Sequence, residues 1–346
     1  MYESFFGLTG KPFQLNPDPS FFFGSRGHKR AFAYLEYGLY QSEGFIVITG
    51  EIGAGKTTIV RSLLEQLDGQ KVVAAQLVST QLDADDMLRA VGVAFGLPVR
   101  SVDKAILLAS LEAFLCQLAT EKRRALLIVD EAQNLAPRAV EELRMLSNFQ
   151  FGDKALLQSF LIGQPELRSM MQSKEMQQLR QRVIASYHLG PLDRSETRSY
   201  IEHRLSRVGW KNDPQFEPAC FDLIHDLTGG VPRRINTLCN RLLLAAFLAE
   251  KRALDTSDVQ AIASEIHDEL GPESPLSTVP VAAGDTAADS QPTRVDASVW
   301  HTRFNELDER MDRLERTVGA AVDLLQSLLH PEKASKPAKP GSPASR

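Results

Sequence analysis

From residue 28 to residue 189, two patterns of apolar spacing alternate along the chain. Short apolar runs, typical of buried strands, are separated by stretches in which apolar residues recur every three or four positions, as on the buried face of a helix. The predicted strands are 45–49, 71–79, 125–131, 156–162 and 183–189, and the predicted helices are 28–40, 57–67, 83–95, 103–122 and 137–148. Because strands that alternate with helices form parallel sheets covered on both faces, the pattern predicts an α/β fold with a parallel sheet core.

The pattern changes twice towards the C-terminus. From residue 193 it becomes purely helical, which predicts a small all-helical domain over 193–270. Prolines among small and polar residues predict a disordered linker over 271–298. Apolar residues then recur at alternating spacings of four and three over 299–330, which predicts a coiled-coil helix. A single amphipathic helix docked on the body would show a similar pattern, and a disordered tail is predicted over 331–346.

Charge and cysteine content narrow the class of protein. The formal net charge of -5 argues against a polycation that coats nucleic acid, so we expect no nucleic-acid partner. Cys116, Cys220 and Cys239 lie far apart in helical patterns, which favours buried thiols over disulfides or a metal site. The N-terminus lacks the pattern of a signal peptide, and no apolar run is long enough for a transmembrane segment. We therefore expect a cytoplasmic protein that reaches the inner membrane only through partners.

The strand 45–49 leads directly into a glycine-rich loop. Gly50 is followed after four residues by Gly55, Lys56 and Thr57, which is the spacing of a P-loop. Backbone N–H groups of such a loop and the start of the next helix bind phosphate, the lysine reaches the terminal phosphates, and the hydroxyl of Thr57 binds Mg²⁺. The predicted nucleotide-binding residues are Gly50, Glu51, Ile52, Gly53, Ala54, Gly55, Lys56, Thr57 and Thr58.

Two carboxylates end the third predicted strand. Asp130 and Glu131 end an apolar run that begins about 70 residues after the P-loop lysine, so the sheet can bring both beside the nucleotide. This is the Walker B arrangement, in which Asp130 holds Mg²⁺ and Glu131 polarises the water that attacks the γ-phosphate.

Residues 1–26 are rich in Phe, Pro and Gly and contain a turn over 16–19. We expect this N-terminal segment to pack on the core, which extends over 27–192. Alternatively, part of this segment lines an adenine pocket.

The P-loop and the Walker B carboxylates together resemble those of the AAA+ ATPases, and the resemblance implies ATP and Mg²⁺ as cofactors. Gln164, at the end of the fourth strand, matches the polar sensor that faces the γ-phosphate, although it could also simply cap the next helix. Arg182, just before the fifth strand, matches the arginine finger that reaches into a neighbouring subunit, with Arg180 as the second choice. Such a finger implies a homo-oligomer whose site is completed in trans.

A second sensor is implied by the run from Gly229 to Asn236. In this family a glycine turn and a proline start a lid helix, and an arginine of that helix contacts phosphate. Arg233 occupies the matching position, while Arg234 remains an alternative. The helical domain over 193–270 is then the lid domain.

Several short motifs resemble one class of AAA+ proteins, the ExeA/GspA-like secretion ATPases. They are Phe6-Gly7-Leu8, Lys11-Pro12-Phe13, Asn16-Pro17-Asp18-Pro19, Asp130-Glu131-Ala132-Gln133, Gly163-Gln164-Pro165-Glu166-Leu167 and the Gly-Gly-Val-Pro-Arg-Arg run. The similarity extends to about residue 270, and its closest branch is the secretion ATPase of PEP-CTERM/exosortase exopolysaccharide loci. Members of the class continue into a membrane helix and a peptidoglycan-binding part. This chain differs from them, because a linker and a coiled coil are predicted in that region instead.

Three functions are compatible with these motifs. The first is a Mg²⁺-dependent ATPase that drives or regulates an envelope export system, with proteins of that system as partners. The second is a DNA-associated AAA+ regulator of the transposition type, against which the acidic net charge argues. The third is a scaffold that uses nucleotide as a switch and hydrolyses little.

Overall fold

The computed structural model describes residues 1–16, 18–41, 43–78, 82–99 and 103–270. The predicted linker, coiled-coil helix and C-terminal tail lie outside these residues. The strands are β1 Phe45–Gly50, β2 Val72–Val78, β3 Arg124–Asp130, β4 Gln150–Phe151, β5 Lys154–Ala155, β6 Leu157–Gly163, β7 Val183–Leu189, β8 Gln215–Phe216 and β9 Ala253–Leu254. The helices are α1 Tyr2–Phe5, α2 Arg26–Gln41, α3 Lys56–Gln66, α4 Ala84–Ala94, α5 Lys104–Thr120, α6 Pro137–Leu146, α7 Pro165–Gln172, α8 Gln177–Arg180, α9 Arg194–Arg207, α10 Pro218–Thr228, α11 Pro232–Leu248 and α12 Thr256–Leu270.

The long strands form a parallel sheet in the order β2-β3-β6-β1-β7. This confirms the predicted α/β fold. Because all neighbours are parallel, β1, β3 and β6 end at the same edge of the sheet, which is where ligands bind in such folds. The residues that end these strands are Gly50, Asp130 and Gly163.

Both faces of the sheet are buried. Alternate residues of β1 show this directly, because Phe45 and Val47 belong to one apolar cluster, with α4, α5 and α6, whereas Ile46 and Ile48 belong to another, with α2 and α3. Side chains of a strand alternate between the two faces, so every apolar position of β1 contributes to a core. This explains why its sequence is a continuous apolar run.

Several helices begin at residues that favour a helix N-terminus. Prolines occupy the first turn of α6, α7, α10 and α11, where their fixed φ suits a helix and no N–H is needed. Asp193 and Glu196 form a capping box at the start of α9. One predicted element, the strand 183–189, has the same bounds as β7.

The N-terminal segment packs in two places. Its residues Tyr2, Phe6, Leu8 and Phe13 join the apolar cluster of α9–α12, whereas Phe22 packs against the sheet-core cluster with α2 and α3. The helical domain offers these rings an apolar surface, since the faces of the sheet are already covered by α2–α6.

The three cysteines are free thiols, and Cys220 and Cys239 are buried. Within the described part of the chain, no helix combines the length and the apolar character needed to cross a membrane.

Candidate nucleotide-binding site

The glycine-rich loop leaves the sheet at the end of β1 and enters α3. Lys56, the first residue of α3, is 6% exposed, and its Nζ donates hydrogen bonds to the carbonyl oxygens of Gly50 at 2.6 Å and Glu51 at 2.9 Å. The ammonium group therefore lies inside the curve of the loop. A loop folded around a cation in this way can accept an anionic phosphate.

Two glycines allow close approach at the loop. Gly53 has φ +82°, and a Cβ there would overlap the Cβ of Arg233. Gly55 has φ +99°, and a Cβ there would lie 2.6 Å from Nε2 of His28. Both positions need glycine for its backbone conformation and for the space it leaves. The loop is thus held between the start of α11 and the start of α2.

Thr57 and Asp130 meet as their sequence positions predicted. The hydroxyl of Thr57 donates a hydrogen bond to Oδ2 of Asp130 at 3.0 Å, which brings a hydroxyl and a carboxylate together beside the loop. Oxygen ligands of this kind suit Mg²⁺, which usually takes one or two protein ligands, substrate phosphates and water. Within the described residues no group of three or more His, Cys, Asp or Glu side chains forms a metal site, so a dedicated cage is not what these residues offer. Thr57 and Asp130 fit a Mg²⁺ that is shared with a nucleotide.

Glu131 belongs to a network of side chains that lies beside this pair. Its Oε2 accepts hydrogen bonds from Nε2 of Gln133 at 2.5 Å and from Nε2 of Gln164 at 2.9 Å. Oε1 of Gln133 in turn accepts the backbone N–H of Gln164 at 2.9 Å. The sequence motifs predict no role for Gln133, yet the Gln133 side chain connects the end of β3 to the end of β6. The network fixes the orientation of the Glu131 carboxylate.

Burial and hydrogen bonding shift the pKa values of these groups in different directions. Burial raises the pKa of Asp130, despite its hydrogen bond from Thr57. Burial also acts to raise the pKa of Glu131, but hydrogen bonds from Gln164 and Gln133 outweigh it and the net shift is downward. Burial lowers the pKa of Lys56 against the attraction of both carboxylates. Glu131 is consequently held as an ionised acceptor at neutral pH, the state a general base requires.

The start of α11 contacts the loop directly. The backbone N–H of Arg233 donates to the carbonyl oxygen of Gly53 at 3.1 Å, and the Arg233 side chain is exposed and lines the pocket beside the loop. Arg234 lies instead near Gly229, with its Nη1 3.8 Å from the position of an added Cβ. Of the two candidates for the second sensor, Arg233 is the one that faces the pocket.

A pocket of roughly 360 Å³ opens beside the loop. From the predicted loop its walls include Ile52, Gly53, Gly55, Lys56, Thr57 and Thr58, together with Glu131. Glu51 is exposed, Ala54 is buried, and Gly50 ends β1. The N-terminal segment supplies Phe21, Phe22 and Phe23, and the helical domain supplies Tyr200, Arg204 and Asn236. The alternative that this segment lines a base pocket thus gains structural support.

Arg204 connects the N-terminal segment to the helical domain. It is 7% exposed, and its guanidinium donates to the carbonyl oxygens of Pro12 at 2.5 Å and Gln14 at 3.2 Å. It also donates to the hydroxyl of Tyr200 at 3.0 Å, which donates to Oδ1 of Asn236 at 2.8 Å. No sequence motif marks Arg204, because its acceptors are backbone groups about 190 positions away.

The two candidate arginine fingers lie away from this pocket. Arg182 precedes β7 and is therefore at the amino ends of the strands, at the sheet edge opposite to the loop. Its guanidinium donates to the backbone and hydroxyl oxygens of Ser147 at 3.1 and 2.8 Å and to Oδ1 of Asn148. Arg180 is exposed and donates to backbone carbonyls at the end of α7. Neither side chain can reach the phosphate loop of its own chain.

Comparison with known proteins defines the class. Residues 39–171 match the family described as AAA domain. Together with the parallel sheet and its glycine-rich loop, this match supports a P-loop ATPase fold with an AAA-like domain over these residues. A particular relative is General secretion pathway protein A of Aeromonas hydrophila, which is 40% identical over 268 residues, or 77% of this chain. The chain spans about half the length of that relative, at 48%. The similarity supports the ExeA/GspA-like class.

Several solved structures have a similar fold, and two of them show the extent of the likeness. The Aeropyrum pernix ORC2 protein in its ADPNP-ADP complexes has a TM-score of 0.54 at 21% identity, over 69% of this chain and 66% of that one. Cdc6p from Pyrobaculum aerophilum has a TM-score of 0.55 at 16% identity, over 76% of this chain and 70% of that one. At these identities the likeness shows the fold alone.

Proposed function

We propose that the chain binds ATP with Mg²⁺ and hydrolyses it, and that this cycle supports or regulates an envelope secretion system. The observation that carries the ATPase proposal is the meeting of three groups at one edge of the sheet. These are the Lys56 ammonium inside the loop, the Thr57–Asp130 pair and the Glu131 carboxylate held by Gln133 and Gln164.

Each group has a role in the proposed reaction. Lys56 and the loop N–H groups bind the phosphates and neutralise their charge. Thr57 and Asp130 would hold Mg²⁺, which when bound offsets the charge that develops on the phosphates. Glu131 accepts a proton from the attacking water.

Gln164 and Arg233 have supporting roles in this proposal. Gln164 keeps one Glu131 oxygen engaged, so the carboxylate stays in place, and its amide lies at the end of β6 beside the loop. Arg233 contributes a cation from the helical domain to the wall of the pocket. Nucleotide bound between them would contact both domains.

The arginine that completes the site is proposed to come from another copy of the chain. Arg182 and Arg180 are too far from their own loop, at the opposite edge of the sheet, so either could act only in a neighbouring subunit. Arg182→Ala should leave nucleotide affinity unchanged and lower turnover by about 10- to 100-fold, the effect of losing a charged hydrogen bond. Arg180→Ala tests the second candidate in the same way, because the Arg180 side chain also caps a helix end within its own chain.

Mixing variants tests whether the arginine acts in trans. Lys56→Met keeps Arg182 but has a damaged loop, whereas Arg182→Ala keeps the loop. Phosphate release by an equimolar mixture should exceed the sum of the separate proteins, because each supplies what the other lacks. A mixture no faster than that sum, from proteins that still assemble, would place Arg182 outside the site. If Arg180→Ala shows the defect instead, the finger is reassigned to Arg180.

The secretion proposal rests on the relative from Aeromonas hydrophila, whose name is General secretion pathway protein A. More narrowly, we propose exopolysaccharide export of the PEP-CTERM/exosortase type, on the motifs that the sequence shares with that branch. We also propose a homo-oligomer that contacts proteins of the export system at the inner membrane.

Deletion of the gene tests this narrower proposal. Exported exopolysaccharide should fall in the deletion strain and return with the wild-type chain, but not with Glu131→Gln, since export would depend on turnover. The Glu175→Gln chain, which changes an exposed acid between α7 and α8, should restore export as the wild type does. Normal exopolysaccharide in the deletion strain would contradict the proposed export system and leave the ATPase proposal intact.

A further inference from the structure

His28 lies against the phosphate loop although it belongs to none of the sequence motifs. It is the third residue of α2, and its side chain is 6% exposed. Its Nε2 lies so close to Gly55 that a Cβ there would approach it to 2.6 Å. The imidazole therefore fills the space that the glycine leaves beside the loop.

The cap of α2 favours one tautomer of the His28 ring. Oγ of Ser25 accepts the backbone N–H of His28 at 3.2 Å, which is the usual N-cap contact with the third helical residue. The hydroxyl hydrogen is then free to be donated to Nδ1, 2.7 Å away. Burial lowers the pKa of His28 to about 4, so the ring is neutral near pH 7. A neutral ring that accepts at Nδ1 carries its proton on Nε2.

The protonated nitrogen faces the backbone of the loop. The backbone carbonyl of Ala54 acts to raise the pKa of His28 against the effect of burial, which is the influence of a carbonyl beside the ring. The peptide group between Ala54 and Gly55 is planar and trans, so its carbonyl and the Gly55 N–H point in opposite directions. A carbonyl held by His28 therefore turns the Gly55 N–H away from the imidazole. Backbone N–H groups of such a loop are the donors that bind phosphate.

We propose that His28 is a positioning residue for nucleotide binding, which holds the 54–55 peptide so that its N–H is presented to phosphate. The inference rests on the proposed binding of ATP at this loop. The same imidazole meets the ring of Phe22 edge to face, at 5.9 Å between centroids, and Phe22 lines the pocket. His28 thus contacts the loop on one side and the N-terminal pocket wall on the other.

Two substitutions at position 28 separate the donor from the shape of the side chain. His28→Phe keeps a buried ring and removes the donor, whereas His28→Gln brings an amide N–H to nearly the position of Nε2. ADP and ATP affinities are measured by isothermal titration calorimetry on the full chain. His28→Phe should weaken binding about tenfold, and His28→Gln should stay within about threefold of wild type. KM for ATP should rise in His28→Phe while kcat changes little, because the reacting groups at Glu131 are untouched.

Ser25→Gly provides a second variant that does not alter the ring. Glycine is tolerated at an N-cap, so α2 stays capped, but Nδ1 loses its proton donor and the other tautomer becomes populated. Its affinity should fall by about threefold, with an unfolding temperature close to wild type.

Unchanged affinity in folded His28→Phe, or equal losses in the Phe and Gln variants, would overturn the inference. If His28→Phe does not fold, unchanged affinity in Ser25→Gly overturns it. A wild-type chain that binds no nucleotide would overturn the proposed function as well, which distinguishes the two failures.

Discussion

Lys56→Met is expected to abolish ATP binding and turnover. The ammonium lies within the loop, and its hydrogen bonds go to two backbone carbonyls. Phosphate oxygens would offer it an anionic partner in direct contact. A charged hydrogen bond contributes about 1.5–3 kcal/mol, so loss of the contacts to two phosphate oxygens should weaken ATP binding by about 100-fold or more. Calorimetric titration with ATP and Mg²⁺ measures the change.

The Lys56→Met variant should fold normally but should not bind ATP. Because burial lowers the pKa of Lys56 below its unfolded value, burying its charged form costs folding free energy. Below that folded pKa the ammonium is charged in both states, so methionine there removes no net electrostatic stabilisation. The unfolding temperature of the nucleotide-free variant should therefore be close to or above that of the wild type. Lys174→Met, which changes an exposed lysine between α7 and α8, should retain wild-type binding. ATP binding by Lys56→Met with wild-type affinity would place the nucleotide elsewhere.

Glu131→Gln is expected to retain ATP and lose turnover. The substitution keeps the shape of the side chain and one oxygen that can accept from Gln133 or Gln164, but it removes the base. A positioned general base contributes about 10²–10⁴-fold to rate, so phosphate release at saturating ATP should fall by that factor. ATP affinity should equal or exceed that of the wild type, because a negative charge beside the phosphates is removed.

The Glu131 variant also distinguishes an ATPase from a nucleotide switch. A switch scaffold would show wild-type turnover as slow as that of Glu131→Gln, with both proteins holding ATP. Glu175→Gln controls for the loss of one acidic group at a site away from the loop. Wild-type turnover in Glu131→Gln, with normal dependence on Mg²⁺, would assign the base to another residue.

Local spacing predicted those parts of the site that lie next to one another in sequence. The glycine spacing from Gly50 to Thr57 defined the loop, and the apolar run before Asp130 and Glu131 placed both acids at the same sheet edge. Parallel strands end at one edge, so the order of motifs sufficed to predict their meeting. Gln164 could be predicted because it follows the end of another strand.

Residues that reach the site through packing could not be predicted in this way. His28 stands in a helix start that has no motif, and its contact with Gly55 depends on how α2 packs against the sheet. Arg204 donates hydrogen bonds to backbone carbonyls of the N-terminal segment. Since every residue has such a carbonyl, the sequence does not indicate which ones accept. The segment itself packs on the helical domain because Phe6 and Phe13 find an apolar surface there. The short helix α7 escaped the periodicity analysis because eight residues give only two turns.

The central claim is that one site, built on Lys56, Asp130 and Glu131, both binds and hydrolyses ATP. Single-turnover kinetics test it most directly: protein in excess over ATP is mixed with Mg²⁺, and the conversion of bound ATP to ADP is followed. The wild-type chain should convert its bound ATP, Glu131→Gln should hold it intact, and Lys56→Met should leave it free in solution. Conversion at the same rate in wild type and Glu131→Gln, or ATP that stays intact on the wild-type chain, would contradict the account.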